Sequence, residues 1–123
     1  MALFKWGRFK SAAGLLLDYK IECETLTEDD WHCIAQAARK ILPRYGTVYS
    51  VPTGGDLLTL RLFAHRDKRS KTPLVVDDVW TTGASMFNTV RQHKLDDWIG
   101  FVAFARGPLP TNVKCFARIE GTG

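Results

Sequence analysis

Two carboxylates stand side by side at Asp77 and Asp78, and three hydroxyls follow at Thr81, Thr82 and Ser85, around Gly83. The apolar run Leu74-Val75-Val76 precedes the acids, as in a strand buried on both faces. The spacing predicts that the acids stand where that strand ends and that Thr81 to Ser85 open a helix reaching about His93. In an open α/β sheet, ligands bind at the carboxyl ends of the strands. A turn that opens a helix aims backbone N–H groups at one point, with the positive end of the helix dipole behind them. Gly83 lets the backbone approach closely. That is a cup for a phosphate monoester. Ionised carboxylates only accept hydrogen bonds, and sugar hydroxyls donate them. The acids beside the cup therefore suit a sugar, and a ribose 5-phosphate fits both halves at once. The bland alternative makes the acids strand-end caps and Thr81-Thr82-Gly83 a plain helix start. Strand, two acids, two spacers and the hydroxyl turn in this order are far more specific than any one of them.

The elements that must hold this segment are also legible. Thr27-Glu28-Asp29-Asp30 supplies an N-cap hydroxyl and three carboxylates for the first turn of a helix. Trp31, Ile34, Ala38, Ile41 and Leu42 then recur at helical spacing, and Pro43 and Gly46 end the element. Thr47 to Val51 reads as a short strand, followed at once by Pro52-Thr53-Gly54-Gly55-Asp56. Two glycines after a strand permit the close backbone approach that a diphosphate needs. Leu57 to Ala64 predicts a second helix, and the charged stretch His65 to Thr72 separates it from the Leu74 strand. Ile99 to Ala105 reads as another buried strand, Arg106 to Pro110 as a loop and Val113 to Ile119 as a last strand. Strands alternating with helices imply an α/β fold, an open, mostly parallel sheet with helices on both faces.

The chain has 123 residues, 46% hydrophobic and 24% charged, which fits one globular domain and excludes a disordered or collagen-like chain. The expected division is a single domain over residues 1–123, with an N-terminal segment over 1–26 and the α/β core over 27–123. The net charge of +4 suits a nucleic acid or a phosphate-rich small molecule equally well. Three cysteines form no CxxC, and the odd count argues for a reducing compartment. Asp18 interrupts the apolar run Leu15-Leu16-Leu17, so neither a signal peptide nor a membrane span is expected, and a cytoplasmic location is. Trp6, Trp80 and Trp98 are candidates for exposed interface residues, with a homodimer as the assembly.

Val75-Val76-Asp77-Asp78-Val79-Trp80-Thr81-Thr82-Gly83-Ala84-Ser85 resembles the 5-phosphoribosyl-1-pyrophosphate (PRPP) motif of the type I phosphoribosyltransferases. Val51-Pro52-Thr53-Gly54-Gly55 is similar to the pyrophosphate loop of that family. Phe9 to Gly14 with Asp18-Tyr19-Lys20 resembles the N-terminal hood of orotate phosphoribosyltransferases. The resemblance covers roughly residues 9–119. It implies that Asp77 and Asp78 hold the ribose 2- and 3-hydroxyls, directly or through the waters of Mg2+. It further implies that Thr81, Thr82, Gly83, Ala84 and Ser85 hold the 5-phosphate, and that Thr53, Gly54 and Gly55 meet the pyrophosphate. Lys10 and Arg106 are similar to the residues that meet the base.

Two departures matter. Purine-salvage members carry an acid where Thr81 stands, so an orotate-like acceptor is favoured. The family often has an extra strand and a long catalytic loop ahead of the PRPP strand, where this chain has only residues 65–72. Five of those eight residues are His, Lys or Arg, and Lys68 and Arg69 are the expected catalytic contributors from it. The implied activity is Mg2+-assisted transfer of ribose 5-phosphate from PRPP to a nucleobase or similar acceptor, releasing pyrophosphate. The alternative is a non-catalytic PRPP- or nucleotide-binding regulatory module, with RNA as a further partner. Basic residues are not interleaved with aromatics, so a general nucleic-acid binder has less support.

Overall fold

A computed structural model describes residues 4–10, 16–21, 26–52 and 56–119 of the chain. Strands β1 (Phe4–Lys10) and β2 (Leu16–Ile21) pair antiparallel as a separate two-stranded sheet, with a register shift between Trp6 and Phe9. The rest alternates: α1 (Glu28–Ile41), β3 (Val48–Ser50), α2 (Asp56–Phe63), β4 (Leu74–Trp80), α3 (Ala84–His93), β5 (Ile99–Ala105) and β6 (Val113–Arg118). The four strands β3 to β6 lie in sequence order and all pair in parallel. The expected open parallel sheet is what forms, and the antiparallel hairpin is an addition to it.

Local chemistry starts α1 where the sequence indicates. Thr27 caps α1: its hydroxyl accepts from the Asp30 N–H at 3.1 Å, and the Asp30 carboxylate accepts from the Thr27 N–H at 2.9 Å. This reciprocal box satisfies two N–H groups that the helix cannot pair itself. The acids Glu28, Asp29 and Asp30 in the first turn and Arg39 and Lys40 in the last both complement the helix dipole.

Helices cover both faces of the sheet. Trp31, Ile34 and Ala38 of α1 and Leu58 and Leu62 of α2 pack with Leu74, Val76, Phe101 and Ala103 on one face. Met86 of α3 packs with Val75, Val102 and Val113 on the other. Leu58, Leu62, Leu74, Val75 and Phe101 are fully buried, and each such side chain contributes about 1.5–3 kcal/mol. The crossovers β3–α2–β4 and β4–α3–β5 step the same way across the sheet, yet their helices lie on opposite faces. The two connections therefore have opposite hands, and one of them departs from the usual right-handed rule.

Candidate functional site

The site is built on the central strand β4. Sequence reasoning ends this strand at Val76; the structure carries it through both acids to Trp80. Asp77 is paired with Val102 of β5, and Val79 with Phe104. On the other side β3 stops early, its last pairing being Ser50 with Val76, extended by the Val51 N–H to the Val76 carbonyl at 2.9 Å. The acids thus sit beyond the end of one neighbour and beside the other, at the carboxyl side of the sheet.

Side-chain alternation breaks at these two residues. Val76 and Val79 both face the α1–α2 layer, whereas Val75 and Trp80 face α3. Strict alternation would put Val79 with Val75. The carboxylates account for the local backbone. Asp77 Oδ1 accepts from the Asp78 N–H at 2.8 Å, and Asp78 Oδ1 accepts from the Val79 N–H at 2.8 Å. Each acid commits one oxygen to its own chain.

Asp77 is buried, Asp78 half-buried. Burial pushes the Asp77 carboxyl up to about 8, with the hydrogen bond and the negative charge of Asp78 adding to the rise. Two carboxylates this close resist ionising together, so the buried one keeps its proton near neutrality. An approaching cation or a set of hydroxyl donors would favour the ionised form.

Thr81, Thr82 and Gly83 form the turn, and α3 begins at Ala84. Gly83 is the N-cap residue, with φ +83°. The Thr82 hydroxyl accepts from the Ala84 N–H at 3.3 Å. Asp77, Val79 and residues 80 to 86 line one pocket, which brings the buried acid and the phosphate cup together. Thr82, Ala84 and Ser85 are exposed at its mouth.

Sequence reasoning missed Trp80. It is 4% exposed rather than a surface residue, and its indole fills the space a Cβ at position 83 would need. Gly83 therefore does two things: it adopts a left-handed backbone and it lets the indole floor the cup. A large aromatic three residues before a glycine, just after a buried strand, was the available signal. Trp98 is half-buried.

Arg106 follows β5, and its N–H donates to the Trp80 carbonyl at 2.8 Å. That bond ties the ends of β4 and β5 and sets Arg106 beside the cup. Lys10 lies in β1; its side chain, like residues Thr53, Gly54 and Gly55, falls outside the described structure. The ends of that glycine segment are joined, since the Ser50 hydroxyl donates to Asp56 Oδ1 at 2.8 Å.

Lys68 and Arg69 are a correction. Residues 65–72 precede β4 and are bonded to the segment that precedes β3. The Asp67 N–H donates to the Tyr45 carbonyl at 2.8 Å, and the Gly46 N–H to the Thr72 carbonyl at 2.9 Å. Asp67 also receives the Arg69 N–H at 2.9 Å and meets Arg44 at 3.8 Å. The loop is thus held at the amino-terminal edge of the sheet. The length of β4, about 20 Å at about 3.3 Å per residue, separates it from the cup. The structure does not bring Lys68 or Arg69 to Asp77 and Asp78.

Among the described residues no group of three or more His, Cys, Asp or Glu side chains could by itself hold a metal. Mg2+ binds through one or two carboxylates plus substrate oxygens and keeps several waters. Asp77 and Asp78 are a carboxylate pair of the kind such an ion takes. No helix of the described residues is long and apolar enough to cross a membrane. Cys33 and Cys115 are free thiols.

This sheet, with its acid pair on the central strand and its cup at the next turn, has the type I phosphoribosyltransferase fold. Solved orotate phosphoribosyltransferases are similar to it in fold. The enzyme from Aeropyrum pernix superposes with a TM-score of 0.66 at 22% identity, over 85% of this chain and 76% of that one. The Mycobacterium tuberculosis H37Rv enzyme, solved in complex with inorganic phosphate, gives 0.58 at 21% identity, over 82% of this chain and 74% of that one. The Francisella tularensis enzyme gives 0.57 at 16% identity, over 85% of this chain and 66% of that one. No family model matches the chain, and no curated protein matches it.

Proposed function

We propose that the chain is a PRPP-dependent phosphoribosyltransferase that transfers ribose 5-phosphate to a ring nitrogen of an orotate-like base. The observation that carries this reading is the single pocket shared by Asp77 and the Trp80–Met86 turn at the carboxyl side of β4. In this reading the 5-phosphate sits on the N–H groups of the turn and the start of α3, aided by Thr81 and Ser85. The ribose hydroxyls donate to the carboxylates of Asp77 and Asp78. The C1–oxygen bond to pyrophosphate breaks as the C1–nitrogen bond forms, and the proton on that nitrogen leaves to solvent. Most of the protein's work is to fix the ribose so that the incoming nitrogen and the leaving oxygen lie in line. Bound through Asp77 and Asp78, Mg2+ would supply charge neutralisation for the departing pyrophosphate. Thr53, Gly54 and Gly55 would add backbone donors there, and Arg106 and Lys10 would meet the acceptor's carboxylate.

The placement of residues 65–72 favours a second reading, a PRPP- or nucleotide-binding module without turnover, because that loop lies at the wrong edge to close over pyrophosphate. One experiment separates the two. Protein, PRPP and Mg2+ are mixed with a panel of bases and pyrophosphate release is followed, with thermal shift alongside. Release with one base, lost in Asp77→Asn/Asp78→Asn with the fold intact, supports the transferase. A thermal shift by PRPP with no release from any base supports the module. Neither shift nor release would overturn both.

A further inference from the structure

Between α1 and α2 runs a groove of about 330 Å³. On one side it is lined by His32, Gln36 and Arg39, which recur at one-turn spacing along α1. On the other it is lined by Leu60 and Arg61 of α2 and by His65 just after that helix. One wall is already ordered: Arg39 donates to Gln36 Oε1 at 3.3 Å, and Gln36 Nε2 lies 3.4 Å from His32 Nε2. Gln36 and Arg61 are half-buried. The lining contains no acid; Glu28, Asp29 and Asp30 stand a turn before it. Among the described residues, no carboxylate lies within ion-pair distance of Arg39 or Arg61.

Each arginine stands in the last turn of its helix, where the dipole favours a cation. That accounts for one charge per helix, not for two guanidiniums and two imidazoles lining the same concavity. Like charges on the walls of a cleft focus a field that attracts an anion. Guanidinium groups bind phosphate through paired N–H donors, and the Gln36 amide and the imidazoles can add further bonds. The volume exceeds what a bare phosphate fills and reaches the lower end of small-molecule pockets, about 300–1,000 Å³. Leu60, 67% exposed, offers apolar surface to the remainder of a ligand. We infer that the α1–α2 groove binds a phosphate monoester of nucleotide size, with Arg39 and Arg61 on the phosphate and Leu60 against the organic body. The groove is separate from the cup, because α1 and α2 cover one face of the sheet and α3 the other. The inference therefore stands whether or not the cup supports transfer.

The chain's three histidines make the test site-specific. His32 and His65 line the groove, whereas His93 ends α3 and packs on Tyr49 with ring centroids 4.8 Å apart. The imidazole proton resonances, assigned from single His→Gln variants, are followed by NMR during titration with adenosine 5′-monophosphate. Those of His32 and His65 should move along one saturating curve. Arg39→Gln and Arg61→Gln should each raise the dissociation constant about tenfold or more, with an unchanged circular dichroism spectrum. Asp77→Asn/Asp78→Asn should leave that curve within about twofold, because the acids lie in a distant site. Inorganic phosphate should compete, more weakly than the nucleotide binds. Two still imidazoles, a His93 resonance moving along the same curve, or indifference to both arginine variants would each overturn the inference. So would loss of the curve in the aspartate variant, or a nucleotide bound no more tightly than inorganic phosphate.

Discussion

The indole of Trp80 occupies the place where a side chain at position 83 would stand. Gly83→Ala must therefore displace a buried ring and hold a left-handed backbone with a Cβ present. Overpacking alone costs about 1–3 kcal/mol. Urea unfolding should show a loss in this range, and affinity for a phosphate ligand should fall with it. A Gly83→Ala protein as stable as the wild type would mean that the indole does not floor the cup.

Asp77 gives the stability a pH dependence of definite sign. Its carboxyl titrates near 8 in the fold, against 3.8 when unperturbed. The unfolded chain loses this proton first, so the contribution is whole below about pH 4 and is lost progressively up to about pH 8. At about 1.36 kcal/mol per unit the loss is of the order of a few kcal/mol. Thermal melts should show Tm falling over this window in the wild type and falling less in Asp77→Asn. Equal slopes in the two proteins would mean that Asp77 ionises freely.

Position relative to the sheet makes opposite demands on two sets of residues. Lys68 and Arg69 precede β4, whose length of about 20 Å at about 3.3 Å per residue exceeds a Debye length of about 8 Å at physiological salt. Lys68→Ala/Arg69→Ala should leave PRPP affinity within about twofold, because such distant charges are screened. Ser85→Ala removes a donor at the pocket itself, and a hydrogen bond to a charged group is worth about 1.5–3 kcal/mol, so affinity should fall about tenfold or more. Calorimetric titration with PRPP and Mg2+ reads both. A large effect of the loop variant would require the loop to leave its present anchorage.

Tyr45 is the buried fastening of that anchorage. Its hydroxyl donates to the Leu62 carbonyl at 2.7 Å, and burial raises its pKa above the ordinary value although Arg39 opposes the rise. Tyr45→Phe leaves the ring packed and should cost about 0.5–1.5 kcal/mol in chemical denaturation. It should leave PRPP binding unchanged, since the bond lies between α2 and the segment that precedes β3, away from the pocket.

Much of this molecule is readable in its sequence, for identifiable reasons. The capping box at Thr27 and Asp30 is a short-range pattern, and so is the turn from Trp80 to Ser85. The buried strands declare themselves as apolar runs. What escapes is what depends on neighbours across the sheet. The extension of β4 through Asp77 and Asp78 needs the partner strand β5 and the side-chain caps on the Asp78 and Val79 N–H groups. The site of residues 65–72 was nonetheless available: a short segment that precedes a parallel strand lies at its amino end, and the ligand edge is the carboxyl end. Its five basic residues drew the expectation toward the pyrophosphate.

Both acids, the aromatic floor and the hydroxyl turn fall within residues 77–85, and their carboxylate caps reach only to the next residue. The phosphate-facing half of the pocket therefore draws its groups from one short stretch of chain. Once β5 has paired with β4, insertions before Leu74 or after His93 would lengthen the chain without re-spacing these groups. The sheet's edges are free to change while this nine-residue unit stays as it is.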